Sequence, residues 1–228
     1  MKLKSFGCSF IFGNELSDLS DELVTSFPMG QFSRLTWPAL VAQKMGYNYE
    51  CYARPGSGNL QIAERVLNES CASDSDFFII GWTFTDRFDY YNRPDDIWQP
   101  WQTLCPSDDQ KNTEIYFKNF HSEYRDKLTN LIYVKTVVDT LLEKNIPFIM
   151  TYMDDLMFDQ RWHVTPAVTD LQLFLKPYMT KFDQKNFLLW SQELGYAVSQ
   201  HWHPLEEAHC MAADYIIKNY ISILRKNS

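Results

Sequence analysis

Several common features are missing from this sequence, and each absence narrows the reading. Its five cysteines (Cys8, Cys51, Cys71, Cys105 and Cys210) form no C-x-x-C pair and no regular spacing. That argues against a disulfide framework and suggests free thiols in a reducing compartment. Basic charge is not in excess: the formal net charge is −8 and the pI about 5.1, the opposite of a nucleic-acid or anionic-membrane footprint. No apolar run approaches the length of a membrane span. The opening Met-Lys-Leu-Lys-Ser leads into neither a long apolar stretch nor a small-residue cleavage site, so no signal peptide is expected. The expectation is a cytoplasmic protein with no nucleic-acid or membrane partner. Internal repeats, low-complexity tracts and Gly/Ser linkers are also absent, which implies one domain over 1–228.

What is present is a globular composition. Apolar residues make up 45% and charged residues 22%, enough for a substantial core. Short apolar runs alternate with longer periodic ones. Strands are expected at Leu3–Cys8, Tyr47–Tyr52, Phe77–Trp82 and Ile146–Tyr152. Helices are expected at Thr36–Met45, Leu60–Leu67, Asn119–Leu142, Lys185–Leu194 and Glu206–Leu224. The run Phe77–Trp82 (FFIIGW) is apolar throughout, as in a strand buried on both faces. Alternating strands and helices imply right-handed crossovers and a mainly parallel sheet, hence an α/β/α three-layer sandwich of about five strands. Residues 86–112, with Tyr90, Tyr91, Trp98, Trp101 and three prolines, fit neither period and are expected to form an insertion or lid.

Ligands of parallel α/β sheets bind at the carboxyl ends of the strands. Those ends place five segments together: Gly7-Cys8-Ser9, Ala53–Asn59, Trp82–Arg87, Met153-Asp154-Asp155, and His201-Trp202-His203-Pro204 before the last helix. Ser9, at a strand-to-loop turn, is a candidate nucleophile, and His203 can accept its proton. The N–H groups of Ser9 and of the Gly56 region could hold an oxyanion. Cys8, pointing away from its neighbour Ser9, is expected to pack. His201-x-His203 with His209 also admits a metal reading, but packing roles for His201 and His209 are preferred and no metal is expected.

Gly7-Cys8-Ser9-Phe10-Ile11-Phe12-Gly13 resembles the first block of SGNH (GDSL-like) hydrolases. The Gly56 region is similar to their second block, and His203-Pro204 to their last. The resemblance runs along nearly the whole chain, in order. It implies a flavodoxin-like sandwich of the SGNH hydrolase type and a serine hydrolase cleaving an ester, such as an O-acyl group on a carbohydrate. Turnover would go through an acyl-enzyme on Ser9, with His203 as base and no cofactor. The implied oxyanion hole is Ser9, Gly56 and Thr83, because the third block here (Gly81-Trp82-Thr83) has no Asn. The family's acid falls at Gln200, so Gln200, or Asp154 or Asp155 from the fourth strand, is the expected partner of His203; a Ser–His dyad is the other option. Arg87, Trp98 and Trp101 are the expected substrate contacts. These departures leave a second reading, a catalytically inactive SGNH-like binding module.

Overall fold

The computed structural model describes residues 1–19, 31–71, 76–91 and 101–224. Its main sheet contains β1 (Lys2–Phe6), β2 (Asn48–Cys51), β3 (Phe77–Trp82) and β6 (Phe148–Tyr152), all parallel, in the order β2-β1-β3-β6. The registers Ser5↔Ile79 and Ile79↔Ile149 run through its centre. β3 is flanked on both edges and covered on both faces, so all six of its residues are buried. That is why an unbroken apolar run reads correctly as a strand. On the edge strand β2 the same demand is relaxed, and its residues are exposed or half-buried.

Alternate residues of β3 feed two cores. Phe77 and Ile79 pack on one side with Trp37, Val41 and Ala42 of α2 (Trp37–Met45) and Ala208, Ala212 and Ile216 of α8 (Glu206–Leu224). Phe78, Ile80 and Trp82 face the other side. There they meet Ile62 and Val66 of α3 (Asn59–Ser70) and Leu131, Val134, Val138 and Leu141 of α5 (Glu123–Glu143). With Val137, the α5 residues Val134, Val138 and Leu141 make the i, i+3, i+4, i+7 stripe of a helix laid on a sheet. Each such Leu, Ile or Val contributes roughly 1.5–3 kcal/mol by leaving water. Among the described residues no helix is long and apolar enough to cross a membrane.

Three differences from the sequence reading have physical causes. Among the described residues the main sheet has four strands rather than about five. The fifth position, beside β6, holds a single parallel bridge, Met150↔Met179, with Thr180 N–H donating to Met150 O at 2.7 Å. The helix expected over 119–142 is two: α4 (Lys111–Asn119) ends, and Ser122 starts α5 by accepting a hydrogen bond from Arg125 N–H. The 86–112 stretch is not featureless, since β4 (Phe88–Tyr91) and β5 (Trp101–Leu104) pair antiparallel as a separate two-stranded sheet. The segment joining them lies outside the described residues.

From β1 the chain goes to β2 on one side and returns to β3 on the other. The order therefore reverses between β1 and β3, and the crevice beyond their carboxyl ends is the expected ligand position.

Candidate active site

Past β1 the chain enters α1 (Ser9–Phe12), a single helical turn that Ser9 opens. Gly13 closes it at φ 90°, a left-handed conformation, and a Cβ there would stand 2.4 Å from the Ser33 Cβ. Ser9 is 6% exposed. Cys8 is buried in the core beside it, as a packing residue. With Phe10, Ile11, Trp37 and Met153 it lines a small apolar cavity beneath the turn.

His203 reaches Ser9 from the opposite end of the chain. A short hairpin carries it: Val198 bridges Pro204, and Ser199 N–H donates to His203 O at 2.8 Å. His203 Nε2 lies 2.8 Å from Ser9 Oγ, and Phe10 packs edge-on against the imidazole, 5.0 Å between ring centroids. Both residues singled out from the sequence are therefore in hydrogen-bond contact.

The group behind His203 is Glu15. Its Oε2 is hydrogen-bonded to His203 Nδ1 and accepts from Ser199 Oγ at 2.6 Å, and its Oε1 lies 2.7 Å from His201 Nδ1. Burial alone would raise the Glu15 carboxyl, but the bonds from His203, Ser199 and His201 outweigh it and bring the pKa down to about 2. Glu15 is thus an ionised acceptor at neutral pH. Glu15 can only accept, whereas the Ser9 hydroxyl can donate, so the arrangement favours the His203 tautomer with its proton on Nδ1 and Nε2 accepting from Ser9 Oγ. Glu15 holds this place at φ 66°, a costly conformation for a residue with a Cβ.

The expected acids do not make this contact. Gln200 is exposed at the tip of the hairpin. Asp154 Oδ2 accepts from Thr85 N–H (2.9 Å) and Thr85 Oγ1 (2.6 Å), and its Oδ1 from Leu156 N–H (2.9 Å), so it caps the turn after β6. Asp155 faces Lys181 instead. Glu15 matches neither the family position three residues before the histidine nor a strand end, so neither rule points to it. Its one signal was an acidic side chain in the loop after the nucleophile turn.

On the other side of Ser9 the loop after β2 is tied to the first block. Arg54 N–H donates to Gly7 O at 3.0 Å, and Arg65 Nη2 to Ser57 Oγ at 2.9 Å. Gly56 sits in this loop at φ 76°. Arg87, expected as a substrate contact, donates to Ser57 O at 3.0 Å and covers the Phe84 ring, so it braces the same loop. Asp89 locks the start of α3, accepting from Gly58 N–H (3.0 Å), Gln61 N–H (3.0 Å), Gln61 Nε2 (2.9 Å) and Thr103 Oγ1 (2.6 Å). A Cβ on Gly58 would lie 2.5 Å from Asp89 Oδ2, so that close approach requires glycine.

At the end of β3, Thr83 N–H donates to Asn59 Oδ1 at 2.8 Å, and Asn59 Nδ2 donates back to Thr83 O (3.1 Å) and to Asn130 Oδ1 (2.6 Å). Thr83 Oγ1 is buried and has no hydrogen-bond partner among the described residues. The missing third-block Asn has no side-chain substitute in Asn59, whose amide is fully engaged. Trp101 is half-buried and packs edge-on against Tyr91 at 5.4 Å. Trp98 lies outside the described residues. His209 is buried, its Nδ1 accepting from Trp37 N–H at 3.0 Å, and burial drives its pKa to about 3, so it packs as a neutral ring. Among the described residues no group of three or more His, Cys, Asp or Glu side chains could hold a metal ion.

No family model and no curated protein matches the sequence. Solved structures do match along almost the whole chain. A member of the lipolytic protein G-D-S-L family from Veillonella parvula DSM 2008 aligns at TM-score 0.51 and 12% identity, covering 97% of this chain and 98% of that one. The psychrotrophic esterase EstA from Pseudoalteromonas sp. aligns at TM-score 0.50 and 12% identity, covering 99% of each. A carbohydrate esterase family 2 enzyme with a carbohydrate-binding domain, from Corynascus thermopiles, aligns at TM-score 0.53 and 13% identity, covering 98% of this chain and 66% of that one. At these identities the likeness is one of fold, and the fold of this chain is that of the SGNH hydrolases.

Proposed function

We propose that this protein is a serine hydrolase that cleaves an ester through an acyl-enzyme on Ser9. The observation that carries the reading is the continuous hydrogen-bonded line from Ser9 Oγ through the His203 ring to Glu15. A nucleophile, a base and an orienting carboxylate in that sequence are what acyl transfer requires.

In the first half-reaction Ser9 Oγ bonds to the acyl carbon while its proton passes to His203 Nε2. Glu15 stabilises the imidazolium and keeps the ring oriented. The oxyanion rests on the N–H groups of Ser9 and Gly56, with Thr83 Oγ1, buried and unpartnered, as a third donor. The acyl–oxygen bond then breaks, and His203 returns the proton to the departing alkoxide. Water attacks the acyl-enzyme, giving its proton to His203, and the free acid and Ser9 hydroxyl are regenerated. The likeness to enzymes named as esterases, one of them a carbohydrate esterase, supports an O-acyl ester as substrate and an acylated sugar as the first to try.

The test is hydrolysis of p-nitrophenyl acetate and longer acyl homologues, followed by acetylated oligosaccharides, by wild type and Ser9→Ala. Turnover by wild type that Ser9→Ala abolishes is expected. Binding of these esters without release of acid by the wild type would overturn the reading in favour of an inactive binding module.

A further inference from the structure

Glu15 has more partners than a triad needs. Its Oε2 serves His203 and Ser199, while Oε1 lies 2.7 Å from the Nδ1 of a second histidine, His201. The two rings come from positions i and i+2 of one hairpin tip. Trp202, between them, is left-handed at φ 66°, as is Glu15 opposite. A strained backbone on both sides of one contact marks a geometry that the surrounding structure imposes. His201 is otherwise largely open, with its side chain 73% exposed, whereas that of His203 is 13% exposed.

We propose that His201 is a positioning residue that acts on His203 through Glu15, two imidazoles sharing one carboxylate, so that a proton held by His201 weakens the hold of the site on a proton at His203. This rests on the triad reading above and extends it to a fourth member. An ionised carboxylate can only accept, so each histidine presents an Nδ1–H to it. When both rings are protonated, two positive charges draw on one negative charge. Protonated His201 also spends part of the Glu15 charge that would stabilise the imidazolium formed as Ser9 attacks.

The charged groups on the flanking elements are engaged elsewhere. Asp18, in the loop after α1, accepts from Arg34 N–H at 2.6 Å, and Glu206, in the first turn of α8, from Ser17 N–H at 2.8 Å. His209, also in α8, stays neutral well below pH 6. Glu15 is therefore the charged group that contacts both imidazoles among the described residues, while Ser199 Oγ, which donates to Glu15, accepts from the backbone N–H of each histidine.

Two measurements on the full-length chain test this. Ring-labelled histidines are titrated by NMR in wild type, His201→Ala and His201→Asn, a readout that needs no turnover. The pH profile of kcat/KM on p-nitrophenyl acetate is recorded for the same three proteins. Removing the second ring returns the whole carboxylate to His203. Its titration and the acid limb of the profile are therefore expected to move to higher pH by about half a unit in both variants, less than a buried charge pair would give because His201 is solvent-screened. The asparagine, which keeps an N–H donor without a charge, separates this charge coupling from a structural loss. A His203 titration that stays in place or moves down in both variants overturns the proposal, even if Ser9 is reactive. Wild type that neither hydrolyses the ester nor labels at Ser9 would instead overturn the triad reading.

Discussion

The two sides of Ser9 are built differently. On the proton side, Glu15 and His203 come from two short loops meeting in a partly open contact, with left-handed residues on each side. On the oxyanion side, the loop carrying Gly56 and the end of β3 sit in a dense lattice. There Asn59, Asp89 and Arg87 engage backbone groups of Thr83, Gly58, Gln61 and Ser57, and Arg65 donates to the Ser57 hydroxyl. The proposed reaction would account for the contrast. A group that shuttles a proton must tolerate changes of charge, whereas donors that stabilise an oxyanion work best when fixed in advance. Damage to the proton side should therefore cost rate with little stability. Damage to the oxyanion lattice should cost both.

Ser9→Ala tests the proton side most severely, with an expected loss of about 10⁴-fold or more in kcat, read against unchanged thermal unfolding. Glu15→Gln preserves shape but removes the charge behind His203. A fall of about 10²–10⁴-fold in kcat is expected, and a loss under about threefold would show that the acid is elsewhere. On the oxyanion side, Thr83→Val should lower kcat by roughly 10–10²-fold with KM little changed, while Thr83→Ser keeps most of the rate. Equal rates in the two variants would remove Thr83 from the oxyanion hole.

Asp89→Ala strips four hydrogen bonds from the junction of α3 with the β4–β5 hairpin. A destabilisation of about 2–4 kcal/mol in denaturant unfolding is expected, together with reduced activity. Retained stability would contradict the view of this side as a pre-set lattice.

The smallest effect is on acid stability. His209 is held near pKa 3 against an ordinary 6.5, so the unfolded chain takes up that proton first. Stability from this ring is complete above pH 6.5 and falls as pH drops towards 3. Glu15, lowered from 4.5 to about 2, acts in the same direction over pH 4.5 to 2. His209→Gln should flatten the slope of unfolding free energy against pH between 6.5 and 4.5. An unaltered slope would place the proton uptake at another group.

How legible this was in the sequence differs in the same way. β3 and the strand ends could be read because burial on two faces leaves a contiguous apolar run, and because parallel sheets put chemistry at their carboxyl edge. The contact between Ser9 and His203 could be anticipated from that rule together with the block resemblance. Glu15 did not, since its contact depends on a left-handed turn and on a loop docking from 188 residues away. The β4–β5 pair was obscured by Asp89, a buried carboxylate in a four-residue strand that is satisfied by the Gly58 and Gln61 N–H groups, the Gln61 side chain and the Thr103 hydroxyl. The fifth sheet position, a lone bridge at Met179, has no strand-length pattern to detect.

The most direct test of the central claim is labelling by a fluorophosphonate, read by intact mass and peptide mapping, in wild type, Ser9→Ala, His203→Ala and Glu15→Gln. The account predicts one adduct on Ser9 in wild type, none in Ser9→Ala, and labelling at least about tenfold slower in the other two variants. A folded wild type that takes no adduct, or labels equally fast without His203, would contradict it.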